Sequence, residues 1–220
     1  MCNLYSQTKP QEAMRQLFNA KDLLGNQPSL PAIFPDDEAP VCLVNDAGSR
    51  ELVRMRWGWH KAKFGWVTNA RKLTDWPWKN VIPDISRRCL VPATSFAEYH
   101  PTEMLPPSAP GRKPRKAATW FAVNGDDDRP LFAFAGLWHR WKGERRKGEH
   151  WEGPCYTILT TEANSVVAPI HPKAMPVILH PEDYERWLHA PADEAIKLQR
   201  PFPADQMRLL FTGEKADEAA

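Results

Sequence analysis

Nowhere in the 220 residues do 18 apolar residues run together, and the stretch from Asn3 to Lys9 is polar apart from Leu4 and Tyr5. The first absence argues against a membrane-spanning helix, and the second against the apolar core of a secretion signal. The four cysteines, Cys2, Cys42, Cys89 and Cys155, form no C-x-x-C pair, so neither a zinc ribbon nor a small disulfide scaffold is indicated. A soluble protein of the reducing cytosol is expected. Net charge is only +2, so no field of the whole molecule draws in polyanions, and a nucleic-acid contact has to come from basic residues gathered on one face. No internal repeat is present.

What the chain does have is 10 Trp and 22 Pro, a composition that argues against a helical bundle and for a loop-rich fold with aromatic rings free to pack or stack. Its length suits one domain, placed at residues 1–212, with 213–220 as a disordered tail. Thr8 and Gln11 have capping-box spacing ahead of the stripe Met14, Leu17, Phe18 and Leu24, which predicts an amphipathic helix ending near Gly25. Val41 to Val44 and Glu51 to Trp57 read as a hairpin, and in its second strand Val53, Met55 and Trp57 alternate with Arg54 and Arg56. Further strands are predicted at Arg88 to Val91, Phe96 to Tyr99, Thr119 to Val123, Leu131 to Trp138 and Tyr156 to Thr161. Short helices are predicted at Trp78 to Ile82, Pro181 to Leu188 and Ala192 to Leu198. The fold class is therefore α+β, with a strand-rich central barrel or sandwich flanked by short helices. Two polar stretches, "HPTEMLPPSAPGRKPRKAA" and "WKGERRKGEHWEG", read as mobile excursions.

Several residues invite chemistry. If Met1 is removed, Cys2 carries an α-amine and a thiol on adjacent carbons; the amine's ordinary pKa of about 7.7 to 8.0 leaves a useful neutral fraction at pH 7. Against an aldehyde that pair closes a five-membered thiazolidine; against an amide the thiol is an N-terminal nucleophile with its own amine as base. In "WGWH" and "TNARK", Trp57 and Arg71 read either as a core indole and a solvated charge or, with Arg54, Arg56, Lys61 and Lys63, as a surface on which rings stack on bases and cations hold phosphates. Glu98 in "SFAEY" shares its strand face with Phe96, and the pattern alone favours an edge strand with the carboxylate in water, the alternative being a buried acid with a function. His171 in "PIHPKAMPVIL" falls in a turn, with no second ligand at metal spacing.

Taken together these residues resemble the SRAP family, the SOS-response-associated peptidase-like proteins that include sensors of abasic sites in single-stranded DNA. The matching pieces are Met1-Cys2, Trp57-Gly58, Asn69-Ala70-Arg71, "RRCLVPATSFAEY" (87–99), "FAGLW" (134–138), "TILTTEAN" (157–164) and "IHPKAMPVIL" (170–179), spread over roughly residues 1 to 190. The resemblance implies Cys2, Asn69, Glu98 and His171 as catalytic positions, and Trp57, Arg71, Lys173 and Thr160 as contacts to DNA. It implies a covalent thiazolidine between Cys2 and the ring-opened sugar of an abasic site, with lyase-like or self-processing peptidase activity alongside. Where family members read Met-Cys-Gly-Arg, Asn3 and Leu4 follow Cys2 here, and Lys173-Ala174 stands where an arginine precedes Met-Pro, so phosphate binding is expected to be weaker or arranged differently. The expected partner is single-stranded DNA with abasic sites, with no metal, no cofactor and no membrane. A cytoplasmic monomer is expected, nucleoid-associated if bacterial. The other readings are an N-terminal-nucleophile cysteine peptidase, told apart by turnover, and a non-covalent single-strand binding module in which Cys2 is idle.

Overall fold

The computed structural model describes residues 2–61, 65–75, 77–146 and 148–217. The chain opens with β1 (Tyr5–Gln7), α1 (Gln11–Phe18), β2 (Lys21–Asp22), β3 (Leu30–Ile33), β4 (Glu38–Val44) and β5 (Arg50–Trp57). It continues through β6 (Trp59–Lys61), β7 (Gly65–Val67), β8 (Asn69–Ala70), β9 (Arg88–Ala93), β10 (Ser95–Leu105) and β11 (Arg115–Val123). Then follow β12 (Phe132–Arg146), β13 (Glu149–Thr161), β14 (Met175–Pro176), β15 (Ile178–Leu179), α2 (Tyr184–His189), α3 (Ala192–Ile196) and β16 (Met207–Gly213).

Strands β5, β4, β9, β12 and β13 pair in that order, and β13 returns to β5 in parallel through Cys155 opposite Arg56 and Tyr156 opposite Trp57. The ring is closed, a five-stranded barrel with extra strands attached, and closure removes the exposed edges that an open sheet has to protect. A second sheet runs in the order β16, β11, β10, β1, β3. The period-2 alternation of the barrel strands explains both packings. Val41, Trp57, Val91, Phe134 and Tyr156 face the second sheet's Tyr5, Phe96 and Phe121. Their neighbours Cys42, Leu52, Leu90 and Ala135 face Met14 and Phe18 of α1 and Trp187 of α2.

The hairpin and all five middle strands lie where alternation predicts them, but several boundaries differ for physical reasons. No capping box forms: the Thr8 hydroxyl bonds that of Thr94 instead, α1 follows Pro10, and Asn19 in the left-handed region ends it well before Gly25. The "WKGERRKGEHWEG" stretch is no loose excursion, because β12 and β13 pair through it out to Arg146 opposite Glu149, with Trp141 and Trp151 stacked at 6.1 Å. Likewise β10 extends to Leu105 and β11 begins at Arg115. The segment after Gly213, expected to be disordered, packs back as far as Asp217, which is 1% exposed; 218–220 lie outside the described residues.

Candidate active site at the leading end of the chain

The backbone of β1 enters between two strands, with Tyr5 opposite Ile33 of β3 and opposite Phe96 of β10. Leu4 continues the pairing through its carbonyl, which accepts from Ala97 N–H at 2.9 Å. That antiparallel run carries Cys2 toward Glu98. Cys2 is fully buried, and its thiol donates to the Leu4 carbonyl at 3.6 Å.

Asn69 reaches the same point from the barrel. β8 pairs in parallel with β13 at Ile158, and the Asn69 amide nitrogen donates to the Cys2 carbonyl at 3.0 Å and to the Thr68 hydroxyl at 2.8 Å. Thr68 in turn donates to the Asn3 side-chain oxygen at 3.2 Å. Both amide protons are thus spent on holding the leading end, and the remaining Asn69 Oδ1 is buried with no partner among the described residues. Gly58 makes this approach feasible: it sits at φ +79°, and a Cβ there would lie 2.8 Å from Thr68 Cγ2 and 2.9 Å from the Val67 carbonyl. Only glycine meets both conditions at no steric cost.

Glu98 corrects the expectation of an edge strand in water. β10 lies between β1 and β11, so Glu98 is only 5% exposed, on a strand with neighbours on both sides. Its Oε1 has no hydrogen-bond partner among the described residues. Burial raises its pKa, against a downward pull that includes His171, and the Cys2 thiol is pushed well above the usual range by burial first and the Glu98 charge second. Each attribution follows from the cost of a charge in a poorly solvated place. A pocket of about 10 Å³ beside Glu98, between Asn3, Leu4, Tyr99 and Ala118, is about the size of one water.

His171 is set by a loop that Asn164 shapes, its side chain accepting from Val166 N–H and Val167 N–H at 3.1 Å each; His171 N–H then bonds the Val167 carbonyl at 2.9 Å. The imidazole Nδ1 is 2.9 Å from the Ala174 carbonyl. A carbonyl only accepts, so Nδ1 carries the proton and Nε2 is the nitrogen that exchanges one. The departure Lys173-Ala174 thus supplies the carbonyl that orients the ring.

Of the four residues expected to touch DNA, two lie at the surface and two do not. Trp57 is fully buried, its ring stacked on Tyr156 and its indole N–H donating to the Thr68 carbonyl; it supports the site from below and cannot stack on a base. Thr160 is 1% exposed with its hydroxyl unpartnered, so it presents no donor to a phosphate in this arrangement. Arg71 and Lys173 are exposed. The Arg71 guanidinium also bonds the Thr161 carbonyl and, at 3.2 Å, that of Lys173, tying the His171 loop to the end of β13. The other basic candidates are partly committed: Arg56 pairs with Asp36 and Glu38 and lies over the Trp151 ring, and Arg54 donates to the Asn26 carbonyl. The Lys61 side chain and all of Lys63 lie outside the described residues. Sequence reasoning missed Thr68 and Asn164, single polar residues that no spacing rule marks; Tyr99, next to Glu98, points to the opposite face of β10, where the Lys215 ammonium lies 4.9 Å from its ring centre. Among the described residues no three His, Cys, Asp or Glu side chains cluster as a metal would require.

The arrangement gathers the backbone at Cys2, a carboxyl with one oxygen unpartnered among the described residues, and an imidazole in one corner, as acid–base chemistry on a bound electrophile needs. Over 215 residues the chain is 32% identical to abasic site processing protein YoaM of Bacillus subtilis, covering 87% of this chain and 86% of that one. Against abasic site processing protein YoqW of the same organism, identity is 33% over 182 residues, 76% of this chain and 71% of that one. A crystal structure of a Bordetella bronchiseptica protein matches with TM-score 0.70 at 26% identity, over 94% of this chain and 98% of that one. One from Bacteroides thetaiotaomicron matches in fold, with TM-score 0.66 at 23% identity over 94% and 90%. The family described as SOS response associated peptidase (SRAP) matches residues 1–213, and the chain belongs to it.

Proposed function

We propose that the protein senses abasic sites in single-stranded DNA and captures them covalently through Cys2 once Met1 has been removed. The observation that carries the reading is the Cys2 carbonyl held by Asn69 in the corner where Glu98 is buried with an oxygen unpartnered. The Cys2 amine adds to the C1′ aldehyde of the opened deoxyribose, and the carbinolamine loses water to give an iminium. The thiol then adds to that carbon: the S–C bond forms, the C=N π electrons return to nitrogen, and the thiol proton leaves to Glu98. The sum is aminothiol plus aldehyde giving thiazolidine plus one water.

Each residue has a task in that sequence. Asn69 Oδ1, the acceptor left over, receives an N–H of the amine and aims its lone pair, so that position replaces concentration. Burial raises the Glu98 pKa, so the carboxyl keeps its proton to higher pH than a solvated one and can give it to the carbinolamine and take one from the thiol. His171 donates from Nε2 to the departing ring oxygen and, in reverse, assists release. Ring closure matters because a lingering iminium acidifies the C2′ proton and invites strand cleavage by β-elimination. With Trp57 in the core, its ring supports the site rather than stacking on a base, and Arg71 and Lys173 meet phosphates.

The test is to mix the protein with an abasic single-stranded oligonucleotide and look for a denaturant-resistant band. The band is expected for the native chain and absent for Cys2→Ala; a band that survives Cys2→Ala overturns the reading. Turnover separates it from an N-terminal cysteine peptidase, since a crosslinker is consumed one molecule per lesion.

A further inference from the structure

A second buried carboxylate holds the strands of the site from their other end. Asp217 is 1% exposed and the Arg129 side chain 11%; the guanidinium grips the carboxylate with two bonds, Nε to Oδ2 at 2.8 Å and Nη2 to Oδ1 at 3.0 Å. Asp217 N–H donates to the Pro31 carbonyl of β3 at 2.9 Å. The Ser95 hydroxyl lies 2.6 Å from Asp217 Oδ2, and beyond it stand Ser6 at 2.7 Å from Ser95, Thr94 at 2.9 Å from Ser6, and Thr8 at 3.2 Å from Thr94.

A carboxylate only accepts, and that fixes every proton in the series. Ser95 must donate to Asp217, so it accepts from Ser6; Ser6 then accepts from Thr94, and Thr94 from the Thr8 hydroxyl and the Thr8 backbone N–H. The chain of hydroxyls is polarised toward one anion, and such linked bonds reinforce each other in a dry place. Ser6 and Ser95 are also register partners of β1 and β10. β1 is three residues long, and a one-residue slip would turn its side chains to the opposite face. Cys2 lies four residues before Ser6 and Glu98 three after Ser95 on antiparallel strands, so sliding β1 along β10 displaces the two reactive groups relative to each other.

We infer that Asp217, with Arg129, is a positioning residue for the reaction: it pins the register of β1 against β10 and thereby sets where Cys2 stands beside Glu98. The inference rests on the reading of Cys2 and Glu98 given above. Two variants test it, Asp217→Asn, which offers an N–H where only an acceptor fits, and Ser95→Ala, which cuts the link while leaving the Arg129–Asp217 pair. In each, amide hydrogen exchange and single-turnover crosslinking to an abasic oligonucleotide are measured below the melting temperature. Exchange at residues 4–8 and 94–98 is expected to rise about tenfold or more with the barrel strands β12 and β13 unchanged. The crosslinking rate at saturating DNA is expected to fall about tenfold or more, with the half-saturating concentration unchanged, since misplacement acts on the bound step. Unaltered exchange in β1 for both variants, or an unaltered saturated rate per folded molecule, overturns the inference. Failure of the Cys2 reading looks different: the native chain gives no Cys2-dependent adduct, and the exchange result still decides whether Asp217 pins β1.

Discussion

Glu98 and Asp217 are both carboxylates buried against the same pair of strands, 5% and 1% exposed, yet their surroundings are opposite. Asp217 has both oxygens engaged, by a two-bond guanidinium and a serine hydroxyl. Glu98 has an oxygen with no partner among the described residues and a pKa raised chiefly by burial. A satisfied buried charge fixes geometry, whereas an unsatisfied one is a standing cost that a fold retains where the proton is used. The contrast teaches which end of β10 is anchor and which is tool.

The sharpest way to break that comparison is to neutralise each carboxylate. Glu98→Gln is expected to slow crosslinking by about 10²–10⁴-fold, the usual worth of a positioned acid–base group, while thermal stability holds or rises. Asp217→Ala is expected to do the reverse to stability, lowering it by about 1–3 kcal/mol because the Arg129 guanidinium loses its buried partner and keeps only the exposed Asp128; denaturant melts measure both. If Glu98→Gln destabilises as strongly as Asp217→Ala, the two are not different in kind.

The pH dependence of stability sharpens the same point. Glu98 has a folded pKa above its unfolded one, so the native state holds the proton longer. Its contribution to stability is therefore eroded as pH rises from the ordinary carboxylate value of about 4.3 through the raised value. Glu98→Gln should flatten the stability profile across that window, and an unchanged slope would remove Glu98 as its source.

Support and contact can be separated next. Trp57→Ala is expected to cost about 3–5 kcal/mol of stability as a core truncation, whereas Tyr99→Ala, on the face of β10 opposite Glu98, should leave the crosslinking rate in place. Gly58→Ala should destabilise by about 1–3 kcal/mol, the scale of a strained backbone, and slow crosslinking through Thr68 and Asn69. The smallest effect is expected from Lys173→Ala: a reduction of about 0.7 in the slope of log affinity against log salt, one phosphate contact on a single strand.

Much of the barrel was legible because its strands are long and alternate, as in Val53, Met55 and Trp57 or Phe132 and Phe134. The same alternation placed Trp57 on an apolar face, and packing rather than base stacking is what a barrel strand makes of an indole there. Glu98 was misread as water-exposed because its covering strand, β1, is too short to carry a periodic signal. The β12–β13 arm was misread because charged residues dominate its composition and mimic a loose loop; its order comes from cross-strand pairing and from Trp141 and Trp151 stacked on one face. Asp217 sits in "TGEKADEAA", a segment whose only apolar residues are alanines, too small to argue for burial, and its role depends on Arg129 and Ser95, about 90 and 120 residues away. Cys2, Asn69, Glu98 and His171 were joined in the sequence by family resemblance, since no spacing rule links four single residues that only tertiary structure brings together.

The central claim is most directly tested by intact and peptide mass spectrometry of the protein after incubation with an abasic single-stranded oligonucleotide, without borohydride. The expected product is the chain lacking Met1 plus the uncut oligonucleotide minus one water, with the added mass on the peptide that begins at Cys2. An adduct on a chain that retains Met1, or on any other peptide, would contradict it.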